Sequence, residues 1–182
     1  NDDGTFDVPG WGPIVFHPGS TGNILDHVEL RHAGHGTSQS GLVNISGAGT
    51  QVSIRNSLLR EYMFGPGGIV AREGASVEVV SSIFAASAFQ GTALRVETGA
   101  VLTAANNTID GAIFGIDVSA ATAVLTNNLI TNYYVGVQAD ETAVVTLSHN
   151  NLFTSYSNGG AYQGLPDQTG LDGNVSADPL YF

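Results

Sequence analysis

The sequence has no cysteine, which excludes disulfide staples and cysteine-based zinc sites and leaves the redox compartment open. It has no lysine either: the five basic residues are all arginine, against 16 Asp plus Glu, for a formal net charge of −11. Such a chain repels phosphate backbones and anionic lipid heads, so nucleic-acid and membrane-surface partners are disfavoured. No apolar run approaches the roughly 20 residues of a membrane span. Charged residues make up only 12% of the chain, but hydrophobic residues reach 42%, so scarcity of charge does not here mean disorder. No signal peptide is visible, and the start at Asn1 reads as a mature or trimmed end. Few charges, many small polar residues and no lysine suit a secreted or cell-surface protein.

What the chain has in abundance is repetition. Asn107-Thr108-Ile109 recurs as Asn127-Asn128-Leu129, Asn150-Asn151-Leu152 and Asn56-Ser57-Leu58; Ser81-Ser82-Ile83 is a softened copy and Asp26-His27-Val28 a degraded one. The apolar member falls at 28, 58, 83, 109, 129 and 152, in steps of 30, 25, 26, 20 and 23 residues. Repeats of this length signal a stacked architecture. The 24 glycines fit a turn every few residues.

Each repeat divides into three short strands. The first, as in Val43-Asn44-Ile45, Leu94-Arg95-Val96 and Ile116-Asp117-Val118, is apolar at its outer two positions, so those two face inward. The second follows a Gly/Ala turn, as in Val77-Glu78-Val79 and Leu102-Thr103-Ala104. The third carries Leu58, Ile83, Ile109, Leu129 or Leu152, which we read as inward, leaving Leu59, Phe84, Ile130 and Phe153 as an outward apolar column interrupted by Asp110. That column demands cover from the tail or the return loops, or else a partner. Aromatics recur at the return: Phe64, Phe89, Phe114 and Tyr134. Tyr62, Tyr133 and Tyr134 either pack there or stack on sugar rings.

Three strands cannot bury an apolar face alone, so each lies beside its copy in the next coil, with parallel pairing. The expected fold is all-β: a single-stranded parallel β-helix of about six coils and three short parallel sheets, roughly 29 Å long. A loop at 1–12 precedes the β-helix at 13–153, and an irregular C-terminal capping tail follows at 154–182. At the sharp corner between second and third strands we place a column of Asp26, Asn56, Ser81, Asn107, Asn127 and Asn150, with His27 as alternative first member. Asn tolerates left-handed backbone angles, and stacked amides satisfy one another coil after coil.

Strand, Gly/Ala turn, strand, Asn corner, strand, loop resembles the right-handed parallel β-helix of pectate-lyase-like proteins, over residues 11 to about 153. The opening DDGT…PGWGPIVF…LDHVELRHAG and the closing GNVSADPLYF resemble bacterial extracellular β-helix repeat proteins, often parts of longer surface chains. The resemblance implies a right-handed coil and a secreted or surface setting. On this fold some proteins are polysaccharide lyases, hydrolases or epimerases, and their sugar chains lie across the outer face of the first sheet.

That face is expected to carry Asn44, Val70, Arg72, Arg95, Glu97, Asp117, Gln138 and Asp140, with stacking that sets Arg72 beside Glu97 and Arg95 beside Asp117. Arg72, Arg95, Glu97, Asp117 and Asp140 are the candidate binding residues. A uronate lyase needs a cation at the carboxylate and a base beside it; the arginines supply charge, but without lysine a lyase of the Lys/Arg type is excluded. A hydrolase needs two carboxylates flanking the bond, and only Asp117 and Asp140 qualify by position. No residue is assigned a catalytic role, because a fold does not carry its function with it. A second polar cluster gathers Asp26, His27, Glu29, Arg31, His32 and His35. Asp2, Asp3 and Asp7, around Gly4, resemble part of a calcium loop, without its full spacing or closing Glu. The expected role is a non-catalytic extracellular module, structural, adhesive or carbohydrate-binding. The rivals are an enzyme acting on acidic polysaccharide and a subunit that self-associates end to end through open strand edges.

Overall fold

Short extended segments with period-two burial dominate the computed structural model, which describes residues 12–31, 41–62, 67–86 and 91–180. The first coil holds β1 (Ile14–Phe16), β2 (Asn23–Asp26) and β3 (Glu29–Arg31); the second β4 (Val43–Ser46), β5 (Gln51–Arg55) and β6 (Leu58–Arg60); the third β7 (Ile69–Arg72), β8 (Ser76–Val80) and β9 (Ile83–Ala85). The fourth holds β10 (Thr92–Glu97), β11 (Val101–Ala105) and β12 (Thr108–Asp110); the fifth β13 (Phe114–Ser119), β14 (Thr122–Thr126) and β15 (Leu129–Thr131); the sixth β16 (Val135–Ala139), β17 (Val144–Ser148) and β18 (Asn151–Phe153). A last strand, β19 (Gly160–Gln163), follows in the tail. Each strand pairs in parallel with its equivalent one coil away, giving sheet one (β1-β4-β7-β10-β13-β16-β19), sheet two (β2 to β17) and sheet three (β3 to β18). The molecule is thus an all-β parallel solenoid, which makes five turns from the first to the sixth strand of a sheet. No helix occurs among the described residues.

In sheets one and two the alternation read from the sequence holds. Ile116 and Val118 are buried, and their strand pairs in parallel with Leu94 and Val96 on one side and Val137 and Ala139 on the other. Val52, Val77, Leu102 and Ala123 stack in one column of sheet two, and Ile54, Val79, Ala104 and Leu125 in the next.

Sheet three differs by one residue in three coils. Its buried column is Leu30, Leu59, Phe84, Ile109, Ile130 and Leu152. Leu58, Ile83 and Leu129 turn outward instead, with Ile83 49% exposed. Of the expected outward column, Leu59, Phe84 and Ile130 are therefore core and Phe153 faces outward; the other outward apolar residues of the sheet are Leu58, Ile83 and Leu129. A one-residue slip exchanges the two faces of a strand, and the slip arises at the corner.

There the chain uses two adjacent positions, not one. His27, Asn56, Ser81, Asn106, Asn127 and His149 occupy the first, all with φ between 47° and 58°. Ser57, Ser82, Asn107, Asn128, Asn150 and Asn174 occupy the second and are buried. The column expected from sequence mixed the two: Asn56, Ser81 and Asn127 are the left-handed residues, Asn107 and Asn150 the buried ones, and Asp26 belongs to β2. His27, the alternative first member, does stand at the left-handed position.

The buried column is continuous. The N–H groups of Val28 and Ser57 donate to Ser57 Oγ and Ser82 Oγ, both at 3.2 Å. Those of Ser82, Asn107, Asn128 and Asn150 donate to the Oδ1 of Asn107, Asn128, Asn150 and Asn174 at 2.9, 3.1, 2.9 and 3.0 Å. Each amide nitrogen then bridges coils: Asn128 Nδ2 donates to Asn150 Oδ1 at 2.9 Å and to the Ala104 carbonyl at 2.9 Å. Serines in the early coils supply acceptors without that cross-coil amide bond.

The tail, expected as an irregular segment, continues two of the three sheets. β19 adds to β16, Asn174 extends the ladder, and Val175 bridges Asn151. Gly164 is required here, since a Cβ would lie 1.8 Å from the Ala139 carbonyl oxygen. At the third corner Tyr62 and Tyr133 are buried. A Cβ on Gly67 would fall 2.6 Å from the Tyr62 ring and one on Gly136 3.1 Å from that of Tyr133, so these glycines make room for the rings. Phe64 and Phe89 lie outside the described residues.

These contacts set the cost of single substitutions. Asn107→Ala and Asn128→Ala should each cost about 1–3 kcal/mol, because buried N–H and amide groups lose partners. Asn127→Gly should leave the urea midpoint nearly unchanged, while Asn127→Val should cost about 1–2 kcal/mol at its left-handed angle; equal losses for Asn107→Ala and Asn127→Gly would show that the two columns are one. The Tyr62 hydroxyl is buried with no hydrogen-bond partner. Tyr62→Phe should hold the melting temperature or raise it, by up to the equivalent of about 1–3 kcal/mol, and a marked drop would mean that the hydroxyl is bonded.

Candidate functional site

The outer face of sheet one is assembled by register alone. Asn44, Val70, Arg95, Asp117, Gln138 and Gln163 stand in one column. Two residues along, Ser46 pairs with Arg72 and Glu97 with Ser119. The face is half-covered rather than open, and Val70 and Asp117 within it are buried.

Four of the five candidate binding residues converge. Arg95 Nε donates to Glu97 Oε2 at 3.1 Å and lies 3.7 Å from Asp117 Oδ2. Arg72 Nε, one coil back, lies 3.8 Å from Glu97 Oε1. The neighbours expected from stacking, Arg72 with Glu97 and Arg95 with Asp117, are thus in place. Such half-exposed pairs are worth about 0.2–1 kcal/mol each; their structural effect is to hold long side chains in fixed positions.

Asp117 stands apart within this group. It is 8% exposed, and its Oδ1 has no hydrogen-bond partner. Burial pushes its carboxyl above the ordinary carboxylate range; Arg95 pulls it down, and the charges of Glu97 and Asp140 push it up further. Asp140, the fifth candidate, lies just past β16 and holds a turn. Its Oδ1 accepts from the N–H groups of Ala120 at 3.2 Å and Thr142 at 2.9 Å and from Thr142 Oγ1 at 2.8 Å. The Ala120 N–H, followed by the Thr142 donors, holds its carboxyl below the ordinary range.

The polar first coil resolves into paired side chains. His27 Nδ1 lies 2.8 Å from Asp26 Oδ1, and Arg60 donates to Glu29 through Nε at 2.7 Å. Arg31 Nε is 3.9 Å from Glu29. His32 and His35, and the calcium-loop residues Asp2, Asp3 and Asp7, lie outside the described residues. Among the described residues no group of three His, Asp or Glu is placed to hold a metal ion.

A concavity that sequence reasoning did not find lies at the third corner of the last coils, lined by Ile113, Tyr134, Tyr156, Ser157 and Asn158. Only Tyr134 had been considered as a stacking platform. Tyr133 and Tyr62, considered with it, are core residues.

Comparison of the chain with protein-family models, curated proteins and solved structures finds no match in any of the three. What the structure bears out of the pectate-lyase-like resemblance is the parallel solenoid.

The raised Asp117 carboxyl has a pH signature. A group whose folded value lies above its unfolded one binds its proton more tightly in the native state, so its contribution is best at low pH and is lost as pH rises through the raised value. The stability of the native chain relative to Asp117→Asn should therefore fall on going from about pH 4 to about pH 7. Paired urea titrations across that range measure it, and a difference that grows with pH would reverse the assignment.

Proposed function

We propose that this chain is a rigid, non-catalytic carbohydrate-binding module of the extracellular space, which holds an extended glycan along the outer face of sheet one. The observation that carries this reading is the Arg72–Glu97–Arg95–Asp117 relay, with Asn44, Gln138 and Gln163 in the column of Arg95 and Asp117. From Arg95 to Gln163 hydrogen-bonding side chains recur at one-coil intervals of about 4.8 Å, comparable to the length of a sugar ring. They stand on paired strands and brace one another, so a ligand need not order them. The Arg95 guanidinium carries five N–H donors, more than its contacts with Glu97 and Asp117 through Nε use.

A second reading, an enzyme acting on acidic polysaccharide, draws on the raised Asp117 carboxyl, the property of a general acid. Against it, Oδ1 is enclosed, and both carboxylates of the relay are already engaged by the same guanidinium of Arg95.

Calorimetry against a panel of neutral and acidic polysaccharides separates the two. Binding is expected without new reducing ends or unsaturated products, and Arg95→Ala should weaken it about tenfold or more, the equivalent of one charge-assisted hydrogen bond. Product release by the native chain that disappears in Arg95→Ala would replace the module by an enzyme.

A further inference from the structure

We infer that the concavity at the third corner is a binding pocket for one neutral sugar ring, a site separate from the sheet-one face but resting on the same carbohydrate-binding reading. It encloses about 450 Å³ between Ile113, Tyr134, Tyr156, Ser157 and Asn158, within the range of small-molecule sites. Tyr134 and Tyr156 are 52% and 44% exposed, whereas Tyr62 and Tyr133 nearby are core. Tyr134, the more exposed of the two, stands at the rim of the concavity and offers a flat apolar surface to a ligand.

The backbone beneath the rings is fixed. The Ile113 carbonyl accepts from the N–H groups of Tyr134 at 3.1 Å and Val135 at 2.8 Å, and the Tyr134 carbonyl accepts from Gly160 at 2.9 Å. The Tyr156 carbonyl accepts from Gly159 at 3.0 Å, and Thr154 Oγ1 donates to the Tyr133 carbonyl at 2.8 Å. A Cβ on Gly159 would lie 2.9 Å from Thr154 Cγ2 and 3.1 Å from the Tyr133 oxygen, so this loop is drawn tight against the sixth coil. The pocket is therefore organised before any ligand arrives.

The chemistry of the lining selects the ligand. Two tyrosine rings and an isoleucine make the lining chiefly apolar, with Ser157 and Asn158 beside them. Such a surface suits the C–H face of a ring whose O–H edges stay in water at the mouth. None of the five residues is charged, and a net charge of −11 disfavours anionic sugars. Tyr134 directly precedes β16, and Gln138 of the sheet-one face lies four residues on, about 13 Å along the strand. One glycan could span both.

The test is an NMR titration of the full chain with neutral gluco-, xylo-, manno- and chito-oligosaccharides, read at the backbone amides of Tyr134, Tyr156 and Asn158. Those signals should shift with at least one series. Tyr134→Ala and Tyr156→Ala should each weaken that binding about fivefold to tenfold, as expected for loss of a ring contact, while Tyr134→Phe retains it. Tyr134 is 52% exposed, so an unchanged melting temperature is expected of Tyr134→Ala and separates binding from folding. Binding that Arg95→Ala abolishes but neither tyrosine variant affects would overturn the pocket and leave the sheet-one reading standing. Failure of every oligosaccharide to bind the native chain would overturn both. Displacement of an apolar dye from the pocket by no sugar in the panel would show that it takes another class of ligand.

Discussion

A tight corner buried inside a protein must find acceptors for its own N–H groups, and everything else in this solenoid depends on how that is done. At the corner between sheets two and three, the side-chain oxygen of each coil receives the N–H of the coil before it, from Val28 through Asn174. The residue just ahead takes a left-handed angle so that the chain can turn and present that oxygen inward. Neither half works without the other. Shifting one coil by a residue would place a left-handed side chain in the interior and leave an N–H without an acceptor. The ladder therefore sets coil-to-coil register, and the sheets inherit it.

This dependence explains what was legible in the sequence. In sheets one and two, apolar residues flank a variable one, as in Leu94-Arg95-Val96, and only one register buries both flanks. Three parallel sheets followed directly. In sheet three the strands are three residues long and often apolar at two adjacent positions: Leu58-Leu59, Ile83-Phe84 and Leu129-Ile130. Hydrophobicity cannot choose between neighbours of equal character. The choice lies with the corner, where Asn56-Ser57, Ser81-Ser82 and Asn127-Asn128 offer two small polar residues for two different tasks. Anchoring on the first of each pair put Leu59, Phe84 and Ile130 on the wrong face. Only Asn106-Asn107 and His149-Asn150 had been anchored on the buried member, and there Ile109 and Leu152 were placed correctly.

The candidate site divides along the same line. Arg72, Arg95, Glu97 and Asp117 lie within paired strands, so direct stacking brought them together as expected. Asp140 is one residue beyond its strand, where the chain turns and local N–H donors compete for the carboxylate. The tyrosine pocket was hidden for a different reason. Its walls come from the return corners and from Tyr156, Ser157 and Asn158 in the tail, where the repeat ends and no periodic signal remains to pair one coil with the next.

The arrangement of charge bears on what such a scaffold can do. A general acid or base must exchange its proton with the ligand, whereas the carboxylates of sheet one are committed to arginines or enclosed within the fold. On the proposed reading, the ion pairs that would make these groups poor proton carriers would make them good fixed contacts, since a braced side chain loses little freedom when it is bound. Spacing acts in the same direction. Outward residues repeat once per coil along a stiff axis, so a ligand with a comparable repeat meets several of them at once, and each contact adds to the last without further ordering. Irregular corners then break that monotony at one end, where the Tyr134 loop and the tail form a concavity that the strands alone could not. On the proposed reading, the regular face would align an extended chain and the irregular pocket would distinguish the ring that enters it.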